Sequence, residues 1–373
     1  MRLEPFAMER LQSIWEHQVA WNLSESGVEP LRVEELALTE EDREDLLRQP
    51  LAYTQTNGTL ELRREIAALY PGATPDHVEV TNGGSEANCV TLLHLVEPGD
   101  EVVMMTPNYM QAPGLLRGLG ARVVPWPLRV NPGGTRWEPD LPALESLVTA
   151  RTRVIFICSP NNPTGTRFTT SELDRIGSIA AGPAAWVVSD EIYRGAELDA
   201  VESPTMWGRW ERVIITSGLS KAYGLPGLRI GWIVGPPATI GELWGVHDYT
   251  TIAPGALNDR LARIALSPAG RERLLARTRG IIRTNYPILS AWLAKRPEFS
   301  HVAPDAGAIA FVRYAHAINS TELVERLRIE ESVLVVPGDH FGMDGHLRVG
   351  FGSHPEHLVG SLERIGALMD ALV

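Results

Sequence analysis

The stretch Thr216-Ser217-Gly218-Leu219-Ser220-Lys221-Ala222-Tyr223-Gly224-Leu225-Pro226-Gly227-Leu228-Arg229-Ile230-Gly231-Trp232 sets the chemistry expected of this chain. Lysines are ordinarily solvated surface groups. Lys221 instead lies in a Ser/Gly-rich segment between two apolar runs, RVIITSG (212–218) and RIGWIVG (229–235), with no other charge before Arg229. A lysine withdrawn from water near other cationic groups loses pKa and becomes nucleophilic towards carbonyls. Arg229, eight residues further on, offers a fixed fork for a phosphate.

Outward from this stretch the same pattern repeats. VEVTNG (78–83), EVVMMTP (101–107), ARVVPWPL (121–128), TRVIFICS (152–159) and AAWVVSDE (184–191) are short apolar runs ending in turn residues. Helical stretches such as SEANCVTLLHLV (85–96) and 111–119 separate them. Short continuous apolar strands alternating with helices require crossover connections and a mostly parallel sheet covered on both faces. Further helices are expected at 4–21, 40–49, 59–70, 238–249 and 256–295. The tail carries HVAPDAGAIAFVRY (301–314), VLVVPG (333–338), HLRVGFG (346–352) and a closing helix at 355–372. The expectation is an α/β fold with three parts: an N-terminal arm contributing to a small domain (1–45), a large domain (46–275) and a small α+β domain (276–373).

At 373 residues the chain exceeds what one compact core needs. Its net charge of −12 comes without any Lys/Arg cluster, which argues against nucleic-acid or anionic-membrane partners. Cys89 and Cys158 sit in the apolar runs GSEANCVTLLHLV and RVIFICSP, whose spacing suits neither a disulfide framework nor a zinc site. They read as free thiols in a reducing cytosol. The histidines have no metal-like spacing, so no metal is expected. No apolar stretch approaches the roughly 18–20 residues of a membrane span. The amphipathic start MRLEPFAMERLQSIWEHQ lacks a signal-peptide core, so a cytoplasmic location is expected.

The chemistry-bearing residues collect at the carboxyl ends of the expected strands, where open α/β sheets bind ligands. Thr81-Asn82-Gly83-Gly84-Ser85-Glu86-Ala87 is a strand-to-helix turn whose free N–H groups attract a phosphate. An ordinary Gly-rich turn capped by Ser85 would look the same in isolation. Ser159-Pro160-Asn161-Asn162-Pro163-Thr164-Gly165 is fixed by two prolines and a glycine, leaving Asn162 a rigid donor. A tight surface turn accounts for the Pro and Gly but not for paired Asn after a buried strand. In Ser189-Asp190-Glu191-Ile192-Tyr193, Asp190 either caps a helix or partners a protonated ring nitrogen, and Tyr193 lies close enough to reach the same ligand.

SPNNPTG (159–165), SDEIY (189–193) and SKAYGLPGLRIGW (220–232), in that order, resemble the fold-type-I pyridoxal-phosphate (PLP) enzymes. The similarity is to the class I/II (aspartate aminotransferase) branch and runs from Tyr53 to Arg348. It implies a seven-stranded, mostly parallel sheet in the large domain. Lys221 matches the Schiff-base lysine and acid/base, and Asp190 the carboxylate that keeps the pyridine nitrogen protonated, making the ring an electron sink. Tyr193 and Asn162 match donors to the ring's phenolic oxygen, and Tyr109 the aromatic on the ring face. Gly84, Ser85, Glu86, Ser220 and Arg229 match the phosphate cup. Tyr53 matches the tyrosine that reaches the phosphate of a neighbouring subunit, which implies a homodimer with shared sites. Arg348, Gly27 and Asn162 are the implied contacts to an amino-acid substrate, with Arg348 clamping its α-carboxylate.

Two features depart from the pattern. Gly218 stands where the family often has a Ser or Thr contacting phosphate, with hydroxyls instead at Ser217 and Ser220. No second arginine for a substrate side-chain carboxylate is evident. The wording SESGV (24–28) is similar to the capreomycidine-synthase-type branch, in which this scaffold performs elimination and cyclisation on an arginine-derived substrate. The resemblance therefore implies a transaminase moving an amino group from an L-α-amino acid to a 2-oxo acid through Lys221. A β/γ-eliminating lyase or cyclising synthase is the alternative. A PLP-binding regulatory domain would carry a basic helix-turn-helix segment, and a nucleotide-binding protein a G-x-G-x-x-G or GK[ST] loop. The sequence shows neither. Trp15 and Trp21 are candidates to lie over the substrate from the N-terminal arm, although aromatics at helical spacing usually serve packing.

Overall fold

The computed structural model describes residues 2–36 and 39–372. The N-terminal arm holds α1 (Ala7–Trp15), β1 (Trp21–Asn22) and α2 (Glu40–Arg48). The large domain follows with α3 (Leu60–Ala67), β2 (Val78–Thr81), α4 (Gly84–Leu95), β3 (Glu101–Thr106), α5 (Gln111–Leu119), β4 (Arg122–Val130), β5 (Trp137–Pro139) and α6 (Leu141–Leu147). It continues through β6 (Thr152–Cys158), α7 (Thr170–Ala181), β7 (Trp186–Asp190), β8 (Val213–Gly218), β9 (Gly231–Val234), α8 (Pro237–His247) and α9 (Ala256–Leu266).

Its strands form one eight-stranded sheet in the order β2-β9-β8-β7-β6-β3-β4-β5. The run from β8 to β4 is parallel, while β9 is antiparallel to both β2 and β8. The seven expected strands are joined by β5, a three-residue edge strand that pairs antiparallel with β4 (Leu128↔Pro139). Successive side chains of a strand face opposite sides, and here each side finds its own core. Val103, Met105, Ile155 and Ile157 enter one apolar cluster, whereas Val102, Met104, Val154 and Phe156 enter the other. Each such fully buried side chain contributes about 1.5–3 kcal/mol of transfer free energy. Burial on both faces is why the strands read as continuous apolar runs rather than alternating ones.

α10 (Pro268–Leu293) leads out of the large domain to β10 (Phe299–His301), β11 (Ile309–Tyr314), α11 (Ser320–Glu331), β12 (Val333–Leu334), β13 (Val336–Pro337), β14 (His346–Gly350) and α12 (Pro355–Asp370). The helix expected over 256–295 is broken at Ser267. Pro268 disfavours helical backbone at its predecessor, and Ser267 (ψ 150°) turns instead into an N-cap accepting from Gly270 N–H. The domain boundary placed near residue 275 falls inside α10, so both parts share that helix.

β10, β11, β14 and β13 form an antiparallel sheet. The arm is stitched onto this unit: β1 pairs in parallel with β12 (Trp21↔Val333), and Gly350 N–H donates to Leu23 C=O at 2.7 Å. That pairing ends the helix expected over 4–21 at Trp15, because Trp21 and Asn22 are extended. Leu23 and Val28 of the arm join the small-domain core with Leu347 and Phe351. Among the described residues no helix is long and apolar enough to cross a membrane.

Candidate active site

A cavity of about 470 Å³ opens at the carboxyl ends of the parallel strands, beneath α1 and beside β14. Its floor is Asp190, the last residue of β7, which is buried. Asn88 Nδ2 donates to Asp190 Oδ2 at 2.8 Å, and Ile192 N–H to Oδ1 at 3.1 Å. Thr216 Oγ1 fixes the Asn88 amide by donating to its Oδ1 at 2.6 Å. Burial raises the Asp190 carboxyl pKa, and the bonds from Asn88 and Ile192 oppose that rise. Among the described residues no cationic side chain pairs with it. An aimed, buried carboxylate without a counterion fits a ligand that brings its own positive charge.

One end of the cavity is made for an anion. The amino terminus of α4 points into it through Gly84 and Ser85. Gly83 has φ +98°, and a Cβ there would lie 2.2 Å from Arg229 Nη2, so only glycine lets the guanidinium approach this turn. Arg229 itself has left-handed backbone (φ 47°), an uncommon conformation for a side-chain-bearing residue. Its guanidinium donates to Asn82 C=O (3.3 Å) and Pro226 C=O (3.1 Å). Ser220 lines the same end. The missing hydroxyl at Gly218 has a steric cause: a Cβ there would sit 2.8 Å from Ile230 C=O.

Lys221 lies at the centre, its side chain about one quarter exposed, with Nζ 3.6 Å from Glu25 Oε2. Tyr193 is buried and donates its hydroxyl to Ser26 Oγ at 2.9 Å. Burial raises its pKa, which keeps the phenol a donor. At the far wall Arg348 is wholly buried. Its Nη1 donates to Asn162 Oδ1 at 3.0 Å and its Nη2 to Ser24 C=O, while Nε has no partner. Desolvation lowers its pKa, and burying a guanidinium in this way is costly unless an anion completes its shell. Tyr109 covers one side, donating to Glu9 at 2.8 Å and meeting Phe6 edge-on at 4.9 Å. Gly27 passes beside Lys221 on the opposite side.

Glu86 and Tyr53 stand apart from the cavity lining. The Glu86 carboxylate turns behind the α4 turn, where it accepts from Asn82 N–H (2.6 Å) and from Thr250 (2.6 Å). Tyr53 is 84 % exposed on the surface of this chain. Trp15 and Trp21 do not cover the site. Trp15 packs under Arg328 at 3.8 Å and Trp21 against His357 and Arg364, all on the small domain. Met8, Glu9 and Gln12 of α1, with Glu16 just after it, line the cavity instead. The sequence reading missed Glu9, Glu16, Glu25 and Asn88. The helical spacing of Glu9 and Glu16 puts them on one face, the one signal the sequence held for them. Glu16 is raised by burial and then by the nearby Glu25, whereas Lys221 holds Glu25 below the usual carboxylate range.

The sequence pattern of the family described as Aminotransferase class I and II matches residues 22–365. The chain belongs to this family. Among relatives of this chain, capreomycidine synthase of Streptomyces vinaceus is 35 % identical over 297 residues, covering 79 % of this chain and 75 % of the relative. A PLP-dependent aminotransferase from Streptococcus suis 89-1591 superposes with a TM-score of 0.93 at 31 % identity, over 100 % of this chain and 99 % of the other. The PLP-dependent cyclase OrfR superposes at 0.89 with 27 % identity, over 100 % and 99 % of the two chains. Class I/II aminotransferases depend on PLP, and the residues present fit that cofactor. The uncompensated Asp190 suits a pyridinium, the Gly83–Arg229 approach and the α4 terminus suit a phosphate, and Lys221 lies between them.

Proposed function

We propose that this member of the class I/II family moves the amino group of an L-α-amino acid to a 2-oxo acid. The observation that carries this reading is that Lys221, Asp190 and Arg348, from three distant parts of the chain, line one cavity. Bound PLP supplies an electrophilic carbon for amines and a ring that withdraws electrons from the substrate Cα. The protein's part is positioning and proton transfer. Asp190 would keep the ring nitrogen protonated, Asn162 and Tyr193 would donate to the ring oxygen, and Arg229, Gly84, Ser85 and Ser220 would hold the phosphate. Arg348, with the Gly27 backbone, fixes the α-carboxylate, which orients the Cα–H bond towards Lys221. Lys221 Nζ then takes that proton and returns it. Tyr53 acts in a homodimer, reaching the phosphate across the subunit boundary. Its exposure, with that of Leu51 on the same loop and of Tyr249 on the loop after α8, which Thr54 joins by donating to Pro254 C=O, supports this assembly.

A specific observation favours elimination or cyclisation on a cationic amino acid as the second reading. Glu9, Glu16 and Glu25 line the cavity, whose lining offers no arginine beyond Arg229 and Arg348. Such a mouth suits a guanidinium or ammonium side chain rather than a second carboxylate. The likeness to capreomycidine synthase and to the cyclase OrfR points the same way.

The test is the absorbance spectrum of PLP-loaded protein titrated with L-amino acids of each charge class, beside Lys221→Ala. Conversion to the aminated cofactor by one amino acid, reversed by a 2-oxo acid, supports transamination. Turnover without accumulation of that form, with a dehydrated or cyclised product by mass, supports the second reading. A wild type that binds no PLP contradicts both.

A further inference from the structure

Behind the anion-binding end lies a buried group that no step above uses. His247, the last residue of α8, is fully buried between two carboxylates on different elements. Its Nδ1 is 2.7 Å from Glu79 Oε1 on β2, and its Nε2 is 3.4 Å from Glu86 Oε2 on α4. A neutral imidazole has one donor nitrogen and one lone pair, so one of these contacts would set a lone pair against a carboxylate. With both carboxylates ionised, both contacts are attractive only for the imidazolium. Burial lowers the His247 pKa, but the hydrogen bonds to Glu79 and Glu86 outweigh that and raise it to about 9.

What this cation holds is the turn that faces the phosphate. Glu86 accepts from Asn82 N–H at 2.6 Å and from the hydroxyls of Thr250 (2.6 Å) and Thr251 (2.8 Å). The Asn82 side chain donates to Thr251 Oγ1 (2.5 Å) and Ala253 C=O (3.1 Å), and the Asn82 backbone carbonyl accepts from Arg229 Nη2 (3.3 Å). The backbone N–H and C=O and the side-chain NH₂ of Asn82 are thus committed, and Gly83 and Gly84 follow directly. A carboxylate in the first turn of α4 would also repel a phosphate dianion unless a cation stood beside it.

We propose that His247 is a positioning residue for the PLP phosphate. It acts through Glu86 and Asn82, fixing the turn and Arg229 and cancelling the Glu86 charge behind the site. This rests on the PLP reading above. Since His247 does not line the cavity, its effect must depend on the phosphate and must respond to the charge on Glu86.

The experiment compares the affinity of the full-length chain for PLP and for pyridoxal, which lacks the phosphate, in wild type, His247→Gln and His247→Gln/Glu86→Gln. In His247→Gln, PLP affinity should fall by about tenfold, as expected for one charge-assisted hydrogen bond, while pyridoxal affinity stays within about twofold. Removing the orphaned carboxylate in the double variant should restore part of the loss. Thr251→Val, which deletes an exposed hydroxyl and leaves the core intact, should show the same phosphate-selective loss at smaller size and serves if His247→Gln does not fold. Equal losses for PLP and pyridoxal, no loss for PLP, or a double variant weaker than the single one would overturn the proposal. A wild type that binds neither ligand would overturn the cofactor reading itself, a different result from any of these.

Discussion

Arg348 Nη1 donates to Asn162 Oδ1 at 3.0 Å, joining the small domain's β14 to the loop after β6 in the large domain. With its oxygen engaged by the guanidinium, the Asn162 amide must turn its NH₂ group the other way, where it can donate to a ligand. Both residues are buried, so one contact orients both the guanidinium proposed to clamp a substrate carboxylate and the amide proposed to donate to the cofactor. Arg348→Lys removes the planar fork. We expect kcat/KM to fall by about a hundredfold or more, an effect of roughly 3 kcal/mol for a buried charge-paired group. Steady-state kinetics beside circular dichroism checks this, and a variant with near-wild-type kcat/KM would refute the clamp.

Asp190→Asn keeps the shape of the floor and a partner for Asn88 but removes the charge. The variant should retain PLP while kcat drops by about 10²–10³, the size typical of losing one preorganised electrostatic contact. Cofactor occupancy by absorbance and turnover by assay separate the two effects. Full activity with bound PLP would show that the ring nitrogen does not depend on this carboxylate.

The Glu79–His247–Glu86 network gives stability a pH signature. The folded-state pKa of His247 is raised to about 9 from an ordinary 6.5, so its contribution is complete below pH 6.5 and is lost as pH rises through 9. Glu86 acts in the opposite direction. Burial raises it, but bonds from His247, Thr250, Asn82 N–H and Thr251 win and hold it near 2, so its contribution is complete above 4.5 and lost towards pH 2. Glu79, flanked by Arg63 and Asp248, is raised by burial to about 7 and favours the lower part of the window. The Tm difference between wild type and His247→Gln should therefore be greatest between about pH 4.5 and 6.5 and shrink above pH 9. A difference independent of pH would mean that the imidazole is held neutral.

Glu9→Gln and Glu16→Gln test the acidic mouth. Each should raise KM for a cationic amino acid about two- to fivefold, the range for a partly solvated ion pair, and leave a neutral amino acid unchanged. Uniform changes across both classes would assign these carboxylates to holding α1 rather than to selecting substrate.

Much of this architecture was legible in the chain because its strands are buried on both faces. Val102 to Met105 and Val154 to Cys158 are apolar without interruption, and the chemistry follows directly at their carboxyl ends. Lys221, Asp190 and Asn162 were readable for that reason. β5 was not, since three residues carry no period. The break at Ser267-Pro268 was signalled by the dipeptide itself and overlooked within a long helical pattern. Glu9, Glu16 and Glu25 depend on a pairing some three hundred residues away in sequence, Trp21↔Val333, which brings the arm over the site. Local pattern carries no trace of such a contact. Tyr53 has a physical explanation only once a second subunit is placed beside its exposed ring.

The chain contains two lysines, Lys221 and the exposed Lys295, so the attachment point can be read without ambiguity. PLP-loaded protein is reduced with borohydride, digested and mapped by mass spectrometry. A stable pyridoxyl-phosphate adduct on the peptide bearing Lys221, with Lys295 unmodified, is the predicted result. An adduct on Lys295 alone, or none on either lysine, would contradict the assignment of Lys221 as the cofactor's covalent anchor.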